Sequence, residues 1–284
     1  MLRTNKPTPI TSSTYVLLFV FLGIPALLFG GQYLFARRYR AKKQAVVTAD
    51  FPDTWNAILL SNVPLVSKLP SHFRQRLETN IKLFLAEVSF EGQGGVQITD
   101  EIRVTVAAQA CLLTVGREDK RYPRLKNVII YPSAFTDSPR APNFDPDNPT
   151  YRLGESWTTG TVILAWDSTK RGAINIHDGR NVALHEFAHQ LDQEDGVGDG
   201  VPIFQSQSAF TAWSQVFTKE YEIQVKKATK GRRSVLDHYG ATNYAEFFAV
   251  STEAFFEKPK QLKRKRPEIY KILKNYYRLD PVSW

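Results

Sequence analysis

Cysteine is nearly missing from this chain of 284 residues: Cys111 stands alone. That excludes an intramolecular disulfide and a cysteine-rich metal site, and nothing points to an oxidising compartment. Histidine is scarce as well, the five being His72, His177, His185, His189 and His238. A metal site would have to be built from histidine and carboxylate. No internal repeat or low-complexity tract is present, and 43% hydrophobic content is that of a chain with a core, neither disordered nor fibrous. The formal net charge is +9, but no nucleic-acid-binding motif accompanies the basic residues, so nucleic-acid binding is not indicated.

One long uncharged run is present. Residues Tyr15 to Ala36 carry no charge over 22 positions, which at about 1.5 Å per helical residue matches the roughly 30 Å hydrocarbon core of a bilayer. Arg37, Arg38, Arg40, Lys42 and Lys43 follow it and only Arg3 and Lys6 precede it. The positive-inside rule then predicts a single-pass protein of the cytoplasmic (inner) membrane with the remainder facing the cytoplasm. The predicted division is an N-terminal tail at 1–14, a transmembrane helix at 15–36, a basic linker at 37–52 and a globular domain at 53–284.

Within that domain, Phe73, Leu77, Ile81, Phe84, Leu85 and Val88 recur at helical spacing and predict an amphipathic helix over 71–88. Thr99 or Asp100 is placed to cap a second helix running through Leu112. Asn127 to Tyr131 and Thr161 to Trp166 read as strands, with a Pro/Asp/Asn-rich loop, Ser138 to Thr150, between them. Helices are predicted near 207–227, 243–256 and 267–277. The expected class is α+β, a small sheet lying beside a helix capped by Asp178 or Asn181.

That helix contains Leu184-His185-Glu186-Phe187-Ala188-His189. Histidines four apart share one helical face, so His185 and His189 can bind one zinc, with Glu186 beside them as a general base. A catalytic zinc needs a third protein ligand and leaves its fourth position to water. Three residues are candidates. Asp195 stands where a metzincin supplies its third ligand, although Asp192 occupies the place of that motif's glycine. His238 can coordinate. Glu246 lies 57 residues after His189 in the apolar segment Tyr244 to Val250, where a carboxylate needs a partner. It can equally be the acidic end of a capping box with Asn243 or Thr242.

The segments HEFAHQLD, DGVP, AEFFAV and Ser251 to Phe256, with YPSAF at Tyr131, GESW at Gly154, VILAW after it and YRLDP near the end, resemble the Mlc titration factor A family of zinc peptidases. The similarity runs from about Trp55 to Pro281, and the family's metalloprotease core is similar to the catalytic domain of anthrax lethal factor. The resemblance implies a zincin-like fold, Zn2+ held by His185, His189 and Glu246, Glu186 as general base, and Tyr239 as hydrogen-bond donor to the oxyanion. It also implies hydrolysis of short peptides, including aminopeptidase-like cleavage. Some members carry a further histidine upstream of the GESW segment, proposed to occupy the metal at rest; no histidine lies around Asp145 to Asn148 here.

Asp192 and Glu253 are the acids expected to support the metal-binding histidines. The run Lys258, Lys260, Lys263, Arg264, Lys265 and Arg266 reads either as a solvated connector or as a surface for lipid headgroups. The segment from Trp157 to Trp166 is expected to offer an edge along which a peptide lies. The sequence therefore predicts a membrane-anchored zinc metallopeptidase acting on a peptide or protein substrate. The alternative is a regulatory module that sequesters a transcriptional regulator, its zinc site structural or vestigial.

Overall fold

The computed structural model describes residues 24–117, 122–136, 151–204 and 206–284. The chain divides into two compact units, Met1–Ala49 and Asp50–Trp284. In the first, helix α1 spans Ile24–Thr48. It does not stop at the basic cluster but carries Arg37, Arg38, Arg40, Lys42 and Lys43 within it. The described part of the predicted span, Ile24 to Ala36, is 13 residues, about 20 Å of helix against the roughly 30 Å a bilayer requires. Residues 15–23 lie outside the described set. Among the described residues no helix is long and apolar enough to cross a membrane, which overturns the predicted placement in an inner membrane.

The second unit begins with α2 (Asp53–Asn62), α3 (Leu65–Lys68) and α4 (Ser71–Glu87), followed by β1 (Ser89–Gly92) and α5 (Asp100–Leu112). The Thr99 hydroxyl caps α5 by accepting from the Ile102 N–H. Helix α5 is apolar almost all round and buried from Val104 to Leu112, as a helix at the centre of a domain must be. Then come β2 (Asn127–Tyr131), the short β3 (Phe135–Thr136) and β4 (Tyr151–Arg152), β5 (Gly154–Trp157) and β6 (Thr161–Ala165). The sheet order is β1-β2-β6-β5, with β1, β2 and β6 parallel and β5 antiparallel at the edge.

Strand β6 is buried at all five positions and paired on both sides, so it offers no free edge. Trp166 begins α6 (Trp166–Ile174) and is not part of the strand. Of the two edge strands, β1 and β5, it is β5 that packs on the motif helix. Strand β5 turns into β6 through Thr158, Thr159 and Gly160, whose φ of +91° suits glycine at the left-handed position of a three-residue hairpin loop. The predicted loop at Ser138 to Thr150 lies outside the described residues.

The remaining helices are α7 (Val182–Asp192), α8 (Gln207–Thr229), α9 (Tyr244–Glu257), α10 (Pro259–Lys265) and α11 (Pro267–Tyr277). Helix α7 packs on α9, α5, α6 and the β5–β6 hairpin. Its buried Phe187 lies against Phe84 of α4 and Tyr122, ring centroids 5.9 and 5.3 Å apart. A second aromatic cluster, Trp213, Phe217, Phe247, Phe248 and Tyr276, joins α8, α9 and α11. The fold is α+β, its small sheet beside the motif helix.

Candidate metal centre

Helix α7 starts where Asn181 caps it, the side-chain oxygen accepting from Leu184 N–H at 3.0 Å. Asp178, the other predicted cap, instead accepts from Arg180 N–H and the Asn175 amide. From Asn181 onward the 3.6-residue period puts Leu184, Phe187, Ala188 and Leu191 into the core and turns His185, Glu186 and His189 toward a cleft of about 1050 Å³. Helix α9 forms the facing wall. Asn243 caps it by accepting from Glu246 N–H at 2.8 Å, so half of the expected capping box is present. The Glu246 carboxylate does not complete that box but turns to the histidines. Its Oε2 lies 2.9 Å from His185 Nε2 and 3.4 Å from His189 Nε2.

These three donor atoms lie within 4.8 Å of one another, and among the described residues no other group of His, Cys, Asp or Glu could hold a metal ion in this way. Donors around a tetrahedral zinc, at roughly 2.0 to 2.2 Å from it, are themselves about 3.4 Å apart. The spacing fits. The electrostatics fit as well: Glu186, Glu246 and Glu253 converge on two imidazoles in a partly buried pocket, which favours a cation. Burial opposes charge on His185, yet Glu253 and Glu246 outweigh it and hold the imidazole's pKa well above its ordinary value. Burial would raise Glu246, but the bonds from His185 and His189 take its carboxyl far below the usual carboxylate range. Glu186 is buried, and that burial moves its pKa upward.

Glu253 lies two turns after Glu246 and accepts from His185 Nδ1 at 3.0 Å, while its other oxygen accepts from Asn181 N–H at 2.7 Å. Asp192 makes no such bond. It is fully buried, accepts from Gly200 N–H at 2.9 Å, and has its pKa pushed up to about 6 by burial; it anchors the loop after α7. The rival third ligands sit elsewhere. Asp195 closes an exposed turn onto Val197 N–H, and His238 bonds the Arg232 carbonyl at the surface. Tyr239 follows Asp237, which caps its short 3₁₀ turn and pairs with Arg180 at 3.1 Å. Its half-exposed ring lies 6.0 Å from that of His185. Burial, then the Glu246 charge, raises the phenol pKa.

Two residues of the site escaped the sequence reading. Glu257 accepts from Gly179 N–H, Arg180 N–H and the Asn181 amide, tying the end of α9 to the start of α7. Its signal was available: Glu246, Glu253 and Glu257 share one helical face at spacings of seven and four. Gly154 on β5 faces Glu186 so closely that a Cβ there would stand 2.5 Å from Glu186 Oε1. No pattern in one sequence reveals that approach. The basic run also resolves: Arg266 is buried in an ion pair with Glu220, whereas Lys260, Lys263, Arg264 and Lys265 are exposed.

The sequence profile described as "Glucose-regulated metallo-peptidase M90" matches residues 36–278. The uncharacterized protein slr2042 of Synechocystis is 38% identical over 274 residues, covering 95% of this chain and 98% of that one. Proteins called Mlc titration factor A are similar too: that of Serratia proteamaculans is 26% identical over 78% of this chain and 86% of its own, and that of Yersinia pestis 27% over 81% and 85%. The resemblance read from HEFAHQLD and AEFFAV is thereby shown, and the chain belongs to the glucose-regulated metallo-peptidase M90 family, alongside the Mlc titration factor A proteins.

Proposed function

We propose that the chain is a zinc-dependent peptidase that hydrolyses short peptides in an aminopeptidase-like manner. The observation that carries the reading is the convergence of His185, His189 and Glu246 from two helices at the spacing of ligands on one ion, beside Glu186. Two imidazoles and one carboxylate are the donor set of many catalytic zinc sites. Zinc, when bound, supplies Lewis-acid polarisation of the scissile carbonyl and makes water acidic near neutrality.

The rest is done by the chain. The Glu186 carboxylate takes a proton from the attacking water and gives it to the leaving nitrogen, a task suited to a carboxyl whose proton affinity burial has raised. Tyr239 donates its hydroxyl hydrogen to the carbonyl oxygen as charge builds there; burial and the neighbouring Glu246 keep that phenol protonated. Glu253 can only accept, so His185 Nδ1 donates to it and Nε2 is turned to the metal. The outer edge of β5 lies next to Glu186 and offers backbone groups for an extended substrate.

The test is zinc per chain together with hydrolysis of fluorogenic peptides by the wild type and Glu186→Gln. The variant is expected to keep its zinc and to lose about 100- to 10,000-fold in kcat. Equal hydrolysis by the two would overturn the catalytic assignment. The name Mlc titration factor A supports a second reading, in which the chain also binds a regulatory protein. Glu186 favours catalysis, because binding alone has no use for a general base. Binding of a regulator that survives in Glu186→Gln would separate the two activities.

A further inference from the structure

In an antiparallel pair, alternate residues turn their N–H and C=O toward the partner and away from it. Leu153 O accepts from Ala165 N–H, so the outward-facing residues of β5 are Gly154 and Ser156. Gly154 stands over Glu186. Ser156, the next outward position, is already engaged. Gln193, just past the end of α7, donates its side-chain amide to the Ser156 carbonyl at 3.3 Å and accepts from the Ser156 hydroxyl at 3.2 Å. Gln190 donates to the same hydroxyl at 2.7 Å and to the Trp157 carbonyl at 3.1 Å. One side-chain amide, that of Gln193, therefore occupies the outward carbonyl where a longer substrate would continue, and Gln190 braces it by donating to the Gln193 side-chain oxygen at 3.2 Å and to the Ser156 hydroxyl.

We propose that Gln193, held by Gln190 and Ser156, is a specificity determinant that closes the β5 edge and confines the cleft to peptides with few residues on the N-terminal side of the cleaved bond. This rests on the peptidase reading above. The direction follows from strand chemistry. Antiparallel pairing is the more common and the more stable arrangement, and a chain added antiparallel to β5 runs its N-terminal end toward Ser156 and Trp157. Beyond the position opposite Gly154 such a chain meets the Gln193 amide instead of a free carbonyl. It must displace that amide and the hydroxyl bonded to it before it can pair further. The substrate class is thus a short peptide, or a chain cut close to its free N-terminus.

The experiment uses the zinc-loaded full chain and a peptide series that keeps one scissile bond and lengthens only its N-terminal side from one residue to four. Wild type is expected to lose about tenfold in kcat/KM across the series, the worth of one or two backbone hydrogen bonds that cannot form. Gln193→Ala, which removes the amide, and Gln193→Glu, which cannot donate to the carbonyl, are expected to flatten the series through KM on the longer members. Both should leave kcat on the shortest unchanged. Dissociation constants of the same peptides for Glu186→Gln and for Glu186→Gln with Gln193→Ala, read by fluorescence anisotropy, should show the same flattening without turnover. A wild type indifferent to length, or a Gln193→Ala variant with the wild-type length dependence and wild-type Tm, overturns the proposal and leaves the peptidase reading standing. A wild type that cleaves no member overturns both.

Discussion

Single side chains decide the chemistry of this cleft, and each makes a separable demand. Gly154 lies outside the left-handed backbone region, so alanine there is strained only by its contact with Glu186, 2.5 Å from the added carbon. Gly154→Ala is expected to keep its zinc and its Tm while kcat falls about 100-fold, the effect of displacing one reacting group by an ångström or so; zinc content and kcat measured together check it. Glu253 acts through His185. Glu253→Gln is expected to weaken zinc binding about 10- to 100-fold, read by competition with a chelator, because the Nδ1 hydrogen loses its carboxylate acceptor. HExxH is legible in a sequence because both histidines and the glutamate lie within one and a half turns. The third ligand is not: between Asp195, His238 and Glu246 the spacing leaves the choice open. In the folded chain His238 bonds a carbonyl and Asp195 closes a turn, and of the three only Glu246 is brought to the imidazoles, by the packing of α9 on α7.

Two helices carry the site, and hydrogen bonds from the start of α7 to carboxyl groups of α9 tie them together. Glu253 and Glu257 receive the backbone N–H groups of Gly179, Arg180 and Asn181 at the N-terminal end of α7, where helical N–H groups lack partners and negative charge is favoured. Burial nevertheless pushes the Glu257 pKa up to about 8. Between about pH 4.5, the ordinary glutamate value, and pH 8 the folded chain then keeps a proton that the unfolded chain has released. By linkage the unfolding free energy falls as pH rises through that window, by up to a few kcal/mol. Glu257→Gln cannot titrate, so its Tm is expected to be lower at acidic pH and to change less between pH 5 and 8 than that of wild type; parallel slopes in a thermal melt series would contradict this. Helices α4, α5, α7, α8, α9 and α11 are legible from apolar periodicity and caps such as Thr99 and Asn181. The strands are less so, since Trp166 continues the apolar run of β6 while its backbone is already helical.

For the whole molecule, the division at Ala49 and Asp50 leads to a direct expectation. A fragment beginning at Asp50 should unfold cooperatively with the Tm of the full chain and bind zinc equally well; a drop of several degrees would show that the first 49 residues support the second unit. By itself the sequence determined local terms: that the segments of α4, α5, α7, α8, α9 and α11 are helical, which face of α7 is apolar, and the histidine pair with its glutamate. Each depends on residues within a few positions of one another, and so on periods and caps that a single chain displays. Tertiary structure alone decided that Glu246 meets the histidine pair, that Glu253 accepts from His185, that Gly154 presses against Glu186, and that β5 is the edge strand beside that glutamate. Those depend on residues dozens of positions apart meeting across helices and strands. A hydrophobic run likewise does not say where its helix ends: α1 runs on through five basic residues, and among the described residues no helix is long and apolar enough to cross a membrane.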